Sequence, residues 1–533
     1  MPPSVPATDK AGRLALSLVL CAAPLAAQQT TPERSGGRET SRHADVLAFL
    51  DTLQQRGAEL RVGTLGTSVE GRRIPFVVAA RPMVFSPAQA RATGKPIVWL
   101  QGNIHSGEVE GKEVAQMLLR DLTLGALRPM LDSVILLVVP IYNTDGNEQF
   151  GPGSRNRPGQ HGPEIVGRSL NGQGLNLNRD YVKAEAPETR GALALIETWD
   201  PDVFIDLHTT NGSYHGYALT YAPGLNPNSG PANDYVRDYF LPLIRERLRK
   251  RHREETFWYG NFRNQNPDSL VQGWETYDPR PRFGTNAWGL KGRLAILSEG
   301  YSNAPFKDRI EATYNFVREI LTLAAEERTR VRAVVEAADA WLPDSVTLHS
   351  VLGPSTLQDV IAEITQPDGE GNGGFARRKR SGVYKTIRMP VFDRFVPASR
   401  EVRPAAYLVP PEHADLIAML RAQGVIAFRA GAWRGSAELF TVDSVNLTPT
   451  VFEGHRAVAL LGRWSSGQVA MPDGWFYVPT TQRLGIFASY MLEPMSEDGF
   501  VTWNFLDRDV AVGGVFPVAR LRQPLVAPME LVP

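Results

Sequence analysis

The chain has 533 residues, more than one ordinary hydrophobic core accommodates, so two or three domains are expected. Hydrophobic residues make up 43% of the chain, charged residues 21%, and the formal net charge is +0. This balance is typical of a globular protein and lacks the excess of positive charge that a nucleic-acid or acidic-membrane partner would require.

The N-terminal segment has the three parts of a secretory signal peptide. Basic residues precede an apolar run at residues 14–27, and that run ends in small residues. The pattern predicts cleavage after residue 27, a disordered linker over residues 28–43, and a secreted or periplasmic protein. The apolar run is short for a bilayer span, and no later segment is long enough, so we expect no membrane span.

The sequence has one cysteine, Cys21, and it lies inside the predicted signal segment. Lipoprotein processing at Cys21 is an alternative that the bulky preceding residue disfavours. Cleavage after residue 27 leaves no cysteine for a disulfide, so a metal site in the mature chain must use histidine and carboxylate ligands.

Strand and helix patterns alternate over the first 340 residues. In chain order, the pattern predicts helix 44–56, strands 59–65, 75–80 and 96–101, helix 109–122, strand 133–141, helix 188–199, strand 203–208, helix 235–250, strand 294–299 and helix 308–340 with a break near Arg328. Several strands are apolar on both faces, as in a sheet covered on both sides. We therefore predict an α/β fold, an α/β/α sandwich around a mixed, mostly parallel sheet.

The pattern changes beyond about residue 343. Short strand-like runs with prolines and glycines replace the alternation, and one helical segment occurs at 411–423. We predict a main domain over residues 44–342 and a β-rich accessory domain over residues 343–533. No function for the second domain follows from its sequence.

His105 and Glu108 lie on the turn between the predicted strand 96–101 and the helix that follows it. This spacing lets an imidazole nitrogen and a carboxylate converge on one point, as two ligands of a catalytic zinc must. His-x-x-Glu occurs by chance in many chains, so a third ligand is needed. His208 ends the buried strand 203–208, and Glu299 ends the buried strand 294–299.

The carboxyl ends of the strands are where ligands bind in open α/β sheets. We predict that His105, Glu108 and His208 hold one zinc ion per chain, with a fourth position open to water. Glu299 is then the predicted general base. Asp206 is a candidate partner of His208, with burial in the core as the alternative.

The ordered set of residues resembles the zinc metallocarboxypeptidases of the carboxypeptidase A type over about residues 45–330. The motifs that carry the resemblance are His105-Ser-Gly-Glu108, Asn143-Thr-Asp145-Gly146, Asn178-Arg179, His208 and Glu299. The resemblance implies a carboxypeptidase-like fold, a zinc ion, and peptide substrates with a free C-terminal carboxylate.

The resemblance also implies roles for further residues. Asn178 and Arg179 would bind the terminal carboxylate of the substrate, Arg179 through a bidentate pair. An arginine would stabilise the oxyanion, and Arg157 is the first candidate for it, with Arg155 as the second. Tyr277 would cap the bound substrate.

The sequence departs from the family pattern in a few places. Asp180 adds negative charge beside the Asn-Arg pair, and Thr144 replaces the proline of the Asn-Pro-Asp-Gly turn. The His-Ser-Gly-Glu turn and the C-terminal extension indicate a bacterial branch distant from the digestive enzymes. The preference of those enzymes for particular C-terminal side chains of the substrate is therefore not expected of this chain. His215 is expected on the rim of the cleft.

The sequence is compatible with three functions. The leading hypothesis is a secreted or periplasmic zinc carboxypeptidase that removes C-terminal residues from peptides. An amidohydrolase of the same architecture, acting on cell-wall peptides or acylated amino acids, is the alternative within enzymes. A non-catalytic peptide- or glycan-binding protein on a peptidase scaffold is the alternative outside them. The oligomeric state is left open.

Overall fold

An eight-stranded sheet forms the centre of the molecule. The structure is a computed structural model and describes residues 28–368 and 378–532. The predicted signal segment 1–27 lies outside the described residues. The strands of this sheet are β1 (Leu60–Thr67), β2 (Arg73–Ala79), β3 (Ile97–Gly102), β4 (Ile135–Val139), β5 (Val203–Thr209), β6 (Leu219–Pro223), β7 (Thr256–Trp258) and β8 (Leu294–Gly300).

The sheet is mixed, with the spatial order β1-β2-β4-β3-β5-β8-β6-β7. Its central strands β4, β3, β5 and β8 are parallel to one another, whereas β2 pairs antiparallel with β4 and β6 pairs antiparallel with β8. The carboxyl ends of β3, β5 and β8 therefore lie side by side. The predicted α/β class is confirmed.

Helices cover both faces of the sheet. Alternate residues of β3 enter opposite cores: Val98 and Leu100 pack on one side, Ile97 and Trp99 on the other. The first face is covered by the helices His43–Gln55, Glu110–Thr123, Gly230–Tyr235, Leu241–Arg247, Phe306–Glu326 and Arg328–Asp339, and the second by Pro87–Ala92, Pro187–Trp199 and Gly284–Leu290. The predicted break near Arg328 is confirmed, since two helices meet at Glu327.

Shorter elements complete the main part of the chain. They are the π-helical turns Val236–Phe240 and Leu248–His252, the 3-10 turns Arg128–Asp132, Leu177–Arg179 and Pro267–Gln272, the short helices Thr144–Glu148 and Gly153–Asn156, and the strand pair Gly151–Pro152 with Ile165–Val166. Among the described residues, none of the helices combines the length and the apolar character that crossing a bilayer requires.

The segment 28–43 differs from the predicted disordered linker. It contains the helix Thr31–Ser35, and Ser41 is buried with its backbone N–H and hydroxyl both 2.7 Å from the carboxylate of Glu113. Arg120 forms an ion pair with Glu33 at 2.8 Å. The segment is polar, and distant charged residues on helix Glu110–Thr123 supply the partners that order it.

The C-terminal part is rich in strands, as predicted. A seven-stranded sheet contains the strands Val458–Met471, Trp433–Leu447, Ala519–Leu521, Ala406–Val409, Trp475–Pro479, Phe428–Ala430 and Met529–Leu531. The 3-10 turn Pro411–His413 and the helices Ala414–Ala422 and Gly485–Leu492 accompany it, together with the strand pairs Ser345–Leu352 with Phe395–Val402 and Gln366–Pro367 with Arg378–Lys379.

One further sheet crosses the expected boundary near residue 343. Its four strands are Asn261–Phe262, Trp274–Glu275, Tyr384–Phe392 and Thr356–Glu363. The first two belong to the main part of the chain and the last two to the C-terminal part. The division into two domains stays a prediction, and the two parts share backbone hydrogen bonds.

Candidate metal centre and catalytic cleft

Close backbone packing at the carboxyl ends of β3 and β5 determines where the site forms. A Cβ atom on Gly102 would lie 2.8 Å from the backbone of Gly111, and one on Gly111 would lie 2.8 Å from Cβ of Leu207 in β5. Because both positions are glycine, the first turn of helix Glu110–Thr123 lies directly against the two strands. Glu108, just before that helix, therefore reaches His208 at the end of β5.

The structure brings the three predicted ligands together. One ligand atom each of His105, Glu108 and His208 lies within 4.8 Å of the other two. Nδ1 of His105 lies 3.1 Å from Oε1 of Glu108, and Nδ1 of His208 lies 2.9 Å from Oε2 of the same carboxylate. Two imidazole nitrogens and one carboxylate facing one point are the donor set of a catalytic zinc site.

The contacts of the His105 ring show that this cluster fits a cation. Its Nε2 lies 2.9 Å from Oδ1 of Asn176, which also accepts a hydrogen bond from the backbone N–H of Asn178. An amide oxygen only accepts, so Nε2 carries the proton and Nδ1 of a neutral ring carries a lone pair. That lone pair faces the Glu108 carboxylate, and a cation between the two acceptors removes their repulsion.

The charges around the cluster favour the same cation. Burial opposes a charged His208, but Asp206 and Glu108 outweigh it and hold the pKa of His208 well above its usual value. Nε2 of His208 lies 3.0 Å from Oδ2 of Asp206, so the candidate partner that the sequence suggested is the nearest charge to this nitrogen, within ion-pair distance but without hydrogen-bond geometry. Burial also opposes a charged Glu108, but the positive charges of His105, when its ring is protonated, and of Arg157 outweigh it and hold the pKa of Glu108 well below its usual value.

Glu299 lies next to this cluster because β8 is parallel to β5, and Glu299 and His208 are register partners. Its side chain is buried, and among the described residues Oε2 of Glu299 has no hydrogen-bond partner. Burial raises the pKa of Glu299 to about 8. A buried carboxylate with a free oxygen and a pKa near neutrality is suited to accept and return a proton.

Seven of the predicted site residues line one cavity of about 180 Å³, namely His105, Glu108, Asn178, Arg179, His208, Tyr277 and Glu299. Arg157 borders it, with Nη2 lying 3.2 Å from Oε1 of Glu108. Arg155 lines a separate cavity with Phe150 and Arg168. Of the two candidates for the oxyanion arginine, the geometry favours Arg157.

The Asn178-Arg179 pair is fixed by local contacts. Oδ1 of Asn178 accepts from the backbone N–H of Gly284 at 2.9 Å, and Nη1 of Arg179 donates to the carbonyl of Asn178 at 2.8 Å. The Arg179 guanidinium lies 3.9 Å from the centroid of the Phe283 ring. Among the described residues, no carboxylate lies within ion-pair distance of Arg179, so a substrate carboxylate would be its anionic partner.

Tyr277 lies on the wall of the cavity. Its hydroxyl lies 3.3 Å from Oδ1 of Asn286, and its ring packs against Tyr259 and Phe283. The predicted capping role of Tyr277 stays a prediction.

The structure shows the partners of Asp180 and corrects the expected position of His215. Asp180 does not face the cavity; it is buried, 2.9 Å from Nζ of Lys183, and accepts two backbone N–H groups, so its charge is compensated. His215 is not on the rim, because its ring is buried 4.2 Å from that of Tyr301 and its backbone forms a β-bridge with Ala362 in the C-terminal part. Burial lowers the pKa of His215 to about 3.

Sequence reasoning missed several residues of the site. Asn176 is one, and the others line the cavity: Asn211, Tyr259, Asp278, Phe283, Thr285 and Leu297. Strand periodicity could have found Leu297, because it lies two residues before Glu299 and points to the same face of β8. The others, apart from Thr285 on helix Gly284–Leu290, lie in loops or turns, where no periodicity places a side chain.

Replacing Asn176 with alanine is expected to weaken zinc binding about 10- to 100-fold, the usual cost of losing a partner of a ligand histidine. The reason is that Oδ1 of Asn176 orients the His105 ring. Chelator competition on the purified protein measures the effect. Asn446→Ala, at an exposed position, is the control; equal zinc affinity in both variants would contradict the assigned contact.

Comparison with known proteins shows similarity to zinc carboxypeptidases. Residues 46–266 match the family model described as zinc carboxypeptidase (Peptidase_M14). Carboxypeptidase 2 of Trichophyton equinum is 24% identical over 481 residues, which cover 85% of this chain and 81% of the relative. Carboxypeptidase 2 of Trichophyton rubrum is 23% identical over 477 residues. A match over 85% of the chain extends into the C-terminal part.

Two solved structures are similar over about half of the chain. A metallo-carboxypeptidase from Burkholderia cenocepacia is 18% identical, covers 53% of this chain and 69% of its own, and has a TM-score of 0.37. A metallo-carboxypeptidase from Pseudomonas aeruginosa is also 18% identical, covers 55% of this chain and 70% of its own, and has a TM-score of 0.39. The predicted resemblance to zinc carboxypeptidases is confirmed by the family match.

Proposed function

We propose a specific reaction for this chain, a zinc metallocarboxypeptidase by its family match: hydrolysis of the C-terminal peptide bond of substrates with a free α-carboxylate. One observation carries the proposal. The three candidate metal ligands, a buried carboxylate and an arginine that lacks a carboxylate partner among the described residues all line the same cavity of about 180 Å³. Hydrolysis of the last peptide bond needs the metal, the proton-accepting carboxylate and the carboxylate-binding arginine close together, because only the C-terminal residue of the substrate separates the scissile bond from the terminal carboxylate.

His105, Glu108 and His208 would hold one zinc ion. When bound, zinc supplies Lewis acidity that polarises the scissile carbonyl and lowers the pKa of a water molecule. Asn176 and Asp206 would orient the two imidazole rings through their second nitrogens.

Glu299 would take a proton from the attacking water and deliver it to the nitrogen of the leaving amine. The water oxygen then bonds to the carbonyl carbon, the C–N bond breaks, and the products are a shortened peptide and an amino acid. Arg157 would donate hydrogen bonds to the oxygen that becomes negative during attack, because its Nη2 already reaches Glu108.

Asn178 and Arg179 would bind the terminal carboxylate. Arg179→Ala is expected to lower kcat/KM about 10- to 100-fold, mainly through KM, because a charge-assisted hydrogen bond contributes about 1.5–3 kcal/mol. Arg179→Lys should recover part of this loss, since lysine keeps the charge without the fork. Steady-state kinetics on a peptide series measures both. Arg155→Ala, in the separate cavity, is the control, and an equal loss there would contradict the assignment.

The reaction is tested by mass spectrometry of products from matched peptides. We expect release of the C-terminal amino acid from a peptide with a free carboxylate and no cleavage of the same peptide as its C-terminal amide. Turnover of cell-wall peptides or acylated amino acids, without release of amino acids from ordinary peptides, would favour the amidohydrolase alternative instead.

The proposal includes a secreted or periplasmic location. Its support is the N-terminal pattern of basic residues, apolar run and small residues within 1–27. N-terminal sequencing of the protein recovered from outside the cytoplasm should begin near residue 28.

A further inference from the structure

The C-terminal part of the chain reaches the catalytic cleft through a hairpin. Strands Trp433–Leu447 and Val458–Met471 pair antiparallel, and the segment between them ends in a tight turn at residues 452–455, here called the hairpin tip. Phe452 and His455 exchange backbone hydrogen bonds at 2.8 and 3.0 Å. The tip contacts the main part of the chain, although Phe452 remains 42% exposed.

Three contacts dock the hairpin tip. Oε2 of Glu453 accepts a hydrogen bond from the backbone N–H of Asn176 at 3.2 Å. Nε2 of His455 lies 2.9 Å from Oε1 of Glu185. The guanidinium of Arg282 lies 5.3 Å from the centroid of the Phe452 ring. One cation–π contact and two polar side-chain contacts together hold this tip against the main part of the chain.

The backbone of the tip is unusual at Glu453. Its φ angle is +49°, and that of Gly454 is +82°. Two residues with positive φ in a two-residue turn are commonly Asn-Gly or Gly-Gly, because other side chains are disfavoured in the left-handed region. A glutamate at this position is explained by what its carboxylate contacts and not by the turn.

The contact with Asn176 matters because Asn176 connects the parts of the cleft. Its side-chain oxygen lies 2.9 Å from Nε2 of His105, and its carbonyl accepts the backbone N–H of Arg179 at 2.9 Å. One residue thus holds both a candidate metal ligand and the candidate carboxylate clamp. Burial lowers the pKa of Arg179, and the carboxylate of Glu453 is the leading charge that opposes this.

The hairpin tip also forms a wall beside the clamp. A cavity of about 530 Å³ has Arg179, Asp278 and Phe283 in common with the metal cavity, and its lining also includes Phe452 and Met495 of the C-terminal part. The cleft around Arg179 is therefore enclosed by residues from both parts of the chain.

We propose that Glu453 is a positioning residue of the active site, so that the C-terminal part completes the catalytic unit instead of forming a separable module. The carboxylate of Glu453 holds the backbone of Asn176, and Asn176 in turn orients His105 for the metal and Arg179 for the substrate. This proposal rests on the proposed carboxypeptidase function.

The test compares three substitutions of Glu453 in the full chain. Glu453→Ala is expected to weaken zinc binding about tenfold, at the low end of the range for outer partners of metal ligands, and to raise KM for a peptide with a free carboxylate. Glu453→Gln should keep near-normal values of both, because its amide oxygen still accepts from Asn176. Zinc affinity is measured by chelator competition and KM by steady-state kinetics.

Glu453→Gly separates positioning from turn stability. Glycine removes the left-handed penalty, so this variant should unfold at a temperature no lower than that of the native chain. The proposal predicts that it nevertheless loses zinc affinity as the alanine variant does. Normal zinc affinity and KM in the glycine variant would overturn the proposal, even where the alanine variant fails to fold.

Asp443→Ala on the same hairpin is the matched control, because within residues 28–368 and 378–532 the ion-pair partner of Asp443 is the exposed Arg463. A loss of zinc affinity in Asp443→Ala equal to that in Glu453→Ala would also overturn the proposal. Measurements on the native chain distinguish failure of the proposed function from failure of the positioning role. If the native chain binds no zinc and releases no C-terminal residue, the proposed function fails. If the native chain binds zinc and releases the C-terminal residue, and the Glu453 variants have the same zinc affinity and KM, only the positioning role fails.

Discussion

Glu299→Gln is expected to lower kcat by about 10²- to 10⁴-fold, the range that general acid–base catalysis contributes. Glutamine has nearly the same shape but cannot accept the proton of the attacking water. Zinc should stay bound, because Glu299 is not among the three residues whose ligand atoms converge. Steady-state kinetics and metal content, measured on the same preparation, give the two readouts.

The matched control is Glu188→Gln. Glu188 is also buried, and burial raises its pKa, so a neutral amide should be tolerated there. It lies on helix Pro187–Trp199, outside the cavity. Equal loss of zinc and of turnover in Glu299→Gln would contradict the general-base role and place Glu299 among the ligands.

His208→Ala is expected to reduce metal content from about one zinc per chain to nearly none, and activity to background. His208 is one of three ligands, and Glu108 contacts both histidines, so removing one imidazole leaves an incomplete and negatively charged site. Mass spectrometry of metal content measures the first effect. In the native chain, a chelator should abolish activity and added zinc should restore it.

His161→Ala is the control for this prediction, because His161 is exposed and lies outside the cavity. It should keep one zinc per chain and normal turnover. Retention of one zinc in His208→Ala would contradict the assigned ligand set and turn attention to another site.

The main fold and the metal cluster were predictable from the sequence because their signals are local. The apolar strands β3, β5 and β8 each lead into a polar residue, and parallel strands bring their carboxyl ends to one edge. His105 and Glu108 follow the first, and His208 and Glu299 end the others. A strand pattern and its last residues occupy fewer than about ten positions, so they can be read without knowing the rest of the fold.

Long-range contacts escaped prediction. The segment 28–43 is ordered by Glu113 and Arg120, and the backbone of His215 bridges to Ala362 in the C-terminal part. The contact of Asp180 is local, but its partner Lys183 lies in a loop without periodicity. The choice between Arg157 and Arg155 was equally open, because both stand in the same Gly-rich and Pro-rich stretch. Only their positions relative to Glu108 distinguish them.

By itself the sequence determined the α/β fold and the resemblance to zinc carboxypeptidases, and it pointed to the three candidate ligands and the candidate base. Only the tertiary structure decided which arginine borders the ligands and that Glu453 contacts the segment carrying the carboxylate clamp. The physical reason is that strand and motif signals depend on neighbours in the chain. The position of Arg157 and the contact of Glu453 with Asn176 depend instead on loops that fold against residues far away in the chain. No periodicity in the sequence encodes such contacts.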